Sequence, residues 1–216
     1  MDARIRNEAR RLRGAIRAGR ASPARVRAAL ADIPPASRDA WFDAVWDLEG
    51  TIDDEPGLPR GCVPYLPCAV ATLVEAFEVL DVGPDDVFVD VGAGPGRALA
   101  FAHLFTGAAG VGVEIQPTLN AAALDRARAL GLETRLRFVE GDAAGLVEEE
   151  PSATVWFLYC PFGHRRLERF LAGVESLARD RPRRLLCVDM PPIEREWLEP
   201  LPTRGPELCA YRVAKP

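Results

Sequence analysis

Lysine is almost missing from this chain: of its 27 basic side chains 26 are arginine, and the single lysine is Lys215. With abundant alanine, that skew reflects a GC-rich coding sequence rather than a functional device. A long apolar run is missing too. The longest weakly apolar stretch, Ala98 to Val113, is broken by His103 and by Thr106-Gly107, so no membrane span is expected. The N-terminus has no uninterrupted apolar segment of the signal-peptide kind, and Asp2, Glu8 and a scarcity of serine argue against a transit peptide. Five cysteines, an odd number without regular spacing, make neither a disulfide framework nor a standard metal motif; they predict reduced thiols in a cytoplasmic protein with no metal site. Excess positive charge is also lacking. A net charge of −5 argues against a nucleic-acid partner, although residues 1–30 hold nine arginines against Asp2 and Glu8.

What is present suffices for one full-sized domain with a real core, since 48% of the 216 residues are apolar. The first sixty residues carry helical spacing. Ile5, Ala9, Leu12 and Ile16 recur three and four residues apart, so one stripe is apolar and the arginines fan out elsewhere. Ser22-Pro23 predicts an N-cap with proline in the first turn, and Ser37 an N-cap for a third helix in which Trp41, Val45 and Leu48 share a face. Residues 50–67, GTIDDEPGLPRGCVPYLP, are crowded with proline and glycine and predict a long loop of the kind that forms lids.

From Pro67 the pattern alternates. A helix opened by Pro67 and ended by Gly83-Pro84 precedes a strand at 87–91. A helix at 96–105, a strand at 110–115 and a helix at 118–130 stopped by Gly131 follow, then strands at 135–141 and 153–159. A helix at about 165–179 and strands at 183–190 and 208–214 complete the chain. Strands alternating with full-length helices predict an α/β fold, a parallel sheet covered on both faces and doubly wound by right-handed crossovers. Such sheets bind ligands at the carboxyl ends of their strands, where strand order reverses.

The densest signal is DVFVDVGAGPGRALAF, residues 86–101. After a β-branched strand come Gly92, Gly94 and Gly96, with Asp90 two places upstream. Glycines this regular let main chain lie against a ligand, and the helix that follows offers free N–H groups. The nicotinamide fingerprint G-x-G-x-x-G/A fails at its third small residue, where Arg97 stands. Glu114 ends the next strand, 22 residues after Gly92, where a carboxylate can accept both hydroxyls of a ribose; Asp142 ends the third, 28 residues further on. Either acid could instead cap the helix behind it. The three in series predict a nucleoside cofactor, with the turn alone leaving a nicotinamide or no ligand open.

The pattern Asp90-x-Gly92-x-Gly94-x-Gly96 resembles the first motif of class I S-adenosylmethionine-dependent methyltransferases, over a resemblance that covers about residues 62–190. It implies a Rossmann-like, mostly parallel seven-stranded sheet over 61–216 behind an N-terminal helical extension, 1–60. It implies S-adenosylmethionine held by Asp90, Gly92, Ala93, Gly94 and Gly96, by Glu114 and Ile115, and by Asp142 and Ala143. In that family the Asp142 position accepts from the adenine amino group and the next backbone N–H reaches a ring nitrogen. PYLPCAVATLVEAF, 64–77, is similar to the YVPTP-type segment of a bacterial and mitochondrial group that includes protein-lysine methyltransferases of a membrane-embedded ATP-synthase subunit. There the tyrosine segment folds over the cofactor, a role that Tyr65 and Leu66 would inherit; Cys68 stands where the pattern has threonine. The bland alternative for Tyr65 is a loop aromatic plugging the core edge. In YCPFGH, 159–164, Pro161 and Phe162 match the post-strand segment of methyltransferases acting on bases or glutamine, whereas Tyr159 and Cys160 depart from it, against such an acceptor.

A sulfonium carries its own leaving group, so positioning and water exclusion are the task, and a base matters only for a protonated acceptor. Tyr159, which also touches the cofactor pocket, and His164 are the catalytic candidates, His164 as general base; Asp189 lies at a strand end, and Asp53 and Asp54 could approach from the loop. His103 reads as structural. The N-terminal arginines read as solvated helices, or as a dock for an acidic partner. The expectation is methyl transfer by in-line displacement to a small-molecule or protein side-chain acceptor. A nicotinamide oxidoreductase and a non-catalytic S-adenosylmethionine-binding module are the rivals.

Overall fold

The computed structural model describes residues 2–48, 54–178 and 181–214. Helix α1, Ala3–Arg17, is capped by the Asp2 carboxylate, which accepts from the Arg4 N–H, and buries the stripe from Ile5 to Ile16. Ser22 caps α2, Pro23–Ala31, as its position before proline predicts. Ser37 does not cap α3, Arg38–Trp46: Pro35 drives a 3₁₀ turn through Ser37, whose side chain makes no cap bond. Leu48 lies beyond α3, which Asp47 ends at φ 65°. Helix α4 spans Val70–Leu80, starting after Pro67 and stopping before Gly83. Its start is set from outside, because Asp39 Oδ1 of α3 accepts the Val70 N–H at 2.8 Å.

Seven strands make one sheet: β1 Val87–Val91, β2 Ala109–Glu114, β3 Leu136–Glu140, β4 Val155–Tyr159, β5 Arg183–Val188, β6 Leu198–Leu201 and β7 Leu208–Val213. Their order is β3-β2-β1-β4-β5-β7-β6, and only β7 runs against the rest. Between and after them lie α5 Arg97–Thr106, α6 Pro117–Leu130, the short α7 Ala143–Leu146 and α8 His164–Leu177. The sheet is thus seven-stranded, mostly parallel and Rossmann-like, as expected. Strand β6 carries no alternation that the sequence could reveal. It is four residues at the sheet edge, where Pro200 forfeits no ladder bond.

The two faces have separate cores. On one, side chains of α1 to α6 pack without a break from Ile5 through Trp41 and Phe42 to Phe77 and Phe101; on the other lie α7, α8, Trp156 and Phe170. Phe42 of α3 meets Phe101 of α5 edge-on at 4.8 Å between centroids, and its complete burial is worth about 1.5–3 kcal/mol. The N-terminal helices therefore share the core of the sheet. Strand order turns between β1 and β4, and their carboxyl ends open the crevice.

Candidate active site

Beyond β1 the chain bends through Gly92, Gly94 and Gly96 at φ +77°, +54° and +80°. A Cβ at Gly94 would stand 2.3 Å from a Tyr65 ring carbon, and one at Gly96 2.7 Å from the Phe138 ring. Both approaches require a missing side chain, and Ala93, between Gly92 and Gly94, is buried.

Glu114 closes β2 with its carboxylate held by the turn. Oε2 accepts the Gly94 N–H at 2.7 Å and Oε1 the Gln116 N–H at 2.8 Å. Burial pushes its pKa up, against the pull of these N–H groups. Asp90, inside β1, is 3% exposed, and its Oδ2 has no hydrogen-bond partner among the described residues. Burial, and then the neighbouring Glu114 charge, raise the Asp90 carboxyl to about 7. Asp142 caps α7 through the Ala144 N–H at 3.2 Å, and its other oxygen pairs with Arg166 of α8 at 2.6 Å. Capping and a place in the crevice coexist there.

Residues 54–67 cross the crevice as a strap fastened on both sides. On the β2 side, Gln116 Nε2 donates to Asp54 Oδ1 and Gln116 Oε1 accepts the Glu55 N–H, both at 2.7 Å; Glu55 in turn accepts the Thr118 N–H at 2.8 Å. Asp54 Oδ1 also accepts the Tyr65 N–H at 3.0 Å, folding the strap on itself. On the β4 side, Cys62 bridges Phe162, and the Val63 N–H donates to the Pro161 carbonyl at 3.2 Å. The Tyr65 ring lies on Gly94, its hydroxyl without a partner among the described residues and its pKa pushed up first by burial.

Under the strap remains a cavity of about 60 Å³, lined by Tyr65, Leu66, Gly92, Glu114, Ile115, Asp142, Ala143, Tyr159 and Phe162 among others. Asp90, Ala93, Gly94 and Gly96 are buried and do not line it. Tyr159 closes β4 next to Asp189; burial and then that carboxylate raise its phenol to about 12. His164 is exposed, at φ 50° in the first position of α8, and does not line the cavity. Asp53 lies outside the described residues. His103 Nδ1 is 2.8 Å from the Ala108 carbonyl and closes the turn into β2. Sequence reasoning missed Gln116, whose position after a strand-end acid was the one available signal. It also missed Trp46, whose indole N–H donates to the Pro95 carbonyl at 2.8 Å.

Residues 88–180 match a family model described as a methyltransferase domain. The chain carries an S-adenosylmethionine-dependent methyltransferase domain. Its fold matches an RNA methyltransferase from Salinibacter ruber crystallised with S-adenosyl-L-homocysteine, at 26% identity over 70% of this chain and 94% of that one (TM-score 0.54). It also matches the putative methyltransferase yhhF from Escherichia coli, at 16% identity over 74% and 92% of the two chains (TM-score 0.55). Of a S-adenosylmethionine-dependent methyltransferase from Geobacter sulfurreducens it spans 59%, with 76% of its own length at 25% identity (TM-score 0.47). No curated protein matches the sequence. Neither the nicotinamide rival nor a loss of enzymatic function finds support, and the exclusion of nucleic acid drawn from net charge finds none. Among the described residues no helix is long and apolar enough to cross a membrane.

The residues of this methyltransferase fit an adenosyl cofactor in kind: a bare turn, a carboxylate fixed at a strand end, and an unpartnered buried Asp90 oxygen facing a need for a donor. They do not fit it in room with the strap in place. Cofactor pockets run to about 300–1,000 Å³, several times the space present.

Proposed function

We propose that the strapped crevice is the methyl-transfer site and that its acceptor is a small molecule or a protein side chain reaching Tyr159. Glu114 takes the ribose hydroxyls, and its carboxylate, fixed by two backbone N–H groups, is the observation that carries the reading. Asp142 and the Ala143 N–H take the base, with Ile115 on its face. The turn from Gly92 to Gly96 takes the methionine part, and Asp90 pairs with its ammonium. Tyr65 and Leu66 then close over the ligand, which supports a place beside the YVPTP-type group. S-adenosylmethionine supplies an activated methyl on a sulfonium and needs no acid to depart.

The chain's own contribution is alignment and dryness. Tyr159, Pro161 and Phe162 wall the cavity on the β4 side, and the phenol, protonated and hydrogen-bonded to Asp189, cannot take an acceptor's proton. We place His164 outside this wall, as a base only for an acceptor whose arrival reorders the start of α8. RNA as the acceptor is a second reading, resting on the Salinibacter ruber neighbour. Calorimetry with S-adenosylmethionine and with NADH tests the cofactor, and transfer of labelled methyl to amine metabolites, peptides and RNA tests the acceptor. Binding of NADH in preference to S-adenosylmethionine overturns the reading. Label moving to RNA alone replaces the acceptor.

A further inference from the structure

We infer that helix α3, in the segment before the methyltransferase domain, is part of the cofactor-binding apparatus: Trp46 and Arg97 are positioning residues that hold the glycine turn in its ligand-binding shape. The inference rests on the placement of the methionine part over that turn. Two moorings carry it. The Trp46 indole, fully buried, donates to the carbonyl of Pro95, which lies between Gly94 and Gly96. A bend made of glycine and proline has few side chains of its own to fix it, and this bond comes from 49 residues upstream.

Arg97 is the second mooring. It is 2% exposed, follows Gly96, and reaches away from the crevice into a three-way junction. Its Nε donates to Asp43 Oδ1 at 2.6 Å and its Nη2 to Asp39 Oδ1 at 2.8 Å, both acids on α3; its Nη1 donates to the Cys68 carbonyl at the foot of the strap. The guanidinium also lies over the Phe42 ring, 5.8 Å from its centroid. Asp39 Oδ1 meanwhile accepts the first N–H of α4. One planar fork thus binds the turn, the strap and α3 together, which a lysine with its single point charge could not do. None of these groups lines the cavity, so any influence on the ligand passes through the turn.

The test compares two ligands. S-adenosylmethionine spans the whole crevice, whereas methylthioadenosine lacks the amino-acid part that the turn would hold. In Trp46→Phe the ring stays apolar and the N–H is lost; a net hydrogen bond of this kind corresponds to roughly a fivefold change in affinity. The expected result by calorimetry is a Kd for S-adenosylmethionine raised about fivefold or more, with that for methylthioadenosine unchanged. Asp43→Asn, which keeps the shape but weakens the fork, should show the same split if Trp46→Phe fails to fold. A general loss of structure would weaken both ligands alike, and that outcome, or no change in either, overturns the inference. If the wild-type protein binds neither ligand, the cofactor reading itself fails, and the wild-type titration shows it before any variant is made.

Discussion

Asp90 offers the sharpest quantitative test. Its carboxyl moves from an ordinary 3.8 to about 7 because β1 buries it and Glu114 stands near, with the Leu99 backbone N–H opposing the rise. A tenfold change in an acid constant is worth about 1.4 kcal/mol, so ionising this group in the folded chain costs on the order of 4 kcal/mol. The sign follows from proton counting. Between about pH 4 and 7 the folded chain holds a proton that the unfolded chain has lost, so this group's contribution favours folding at low pH and is lost as pH rises through that window. Asp90→Asn removes the titration and keeps the shape. Urea unfolding of both proteins at pH 5 and pH 8, without ligand, should show the wild type losing about 2.7 kcal/mol of stability relative to the variant, because two pH units of the window lie above pH 5. Subtracting the variant cancels groups that titrate identically in both proteins, His103 among them. A wild-type-minus-variant difference equal at the two pH values would refute the account. An ammonium beside Asp90 draws its proton off, so S-adenosylmethionine should bind more tightly as pH rises from 6 to 8. Calorimetry in buffers of different ionisation heat should find a proton released in the wild type and none in Asp90→Asn.

Glu114→Gln turns an amide toward an N–H that now donates to a carboxylate, and should weaken S-adenosylmethionine by at least about tenfold, measured by calorimetry; unchanged affinity would unseat Glu114 from the ribose. Gly94→Ala puts a Cβ where the Tyr65 ring lies, so the strap should be expelled and become an early site of limited proteolysis. An uncut strap in that variant would mean the ring can slide aside. Gln116→Ala removes two side-chain bonds that fasten the strap, and stopped-flow mixing should find faster association of S-adenosylmethionine with little change in melting temperature.

The fold was legible where its physics is local. Ser22-Pro23, Gly131 after α6 and the β-branched VFVDV each announce themselves within a few residues, and the three strand-end acids follow from knowing where the strands stop. The illegible parts depend on distant chain. Helix α4 starts at Val70 because Asp39, 31 residues away, caps it there. Trp41, Phe42 and Trp46 read as one helix's apolar face, and nothing in their spacing tells that the face closes against α5 and the glycine turn. Arg97 stood out only as a misfit in a nicotinamide fingerprint, and its three acceptors come from α3 and the strap. His164 looked like a base from its place after β4, but the backbone carries it to the outer surface at the head of α8.

A guanidinium keeps its charge through any acidity in which a protein stays folded. Arg97 therefore holds its charge at the pH where Asp90, inside the neighbouring strand, changes state. The scaffold that shapes the bend and the group that would greet the incoming cation answer to different chemistry, so near neutral pH acidity reaches the ligand through Asp90 and not through Arg97.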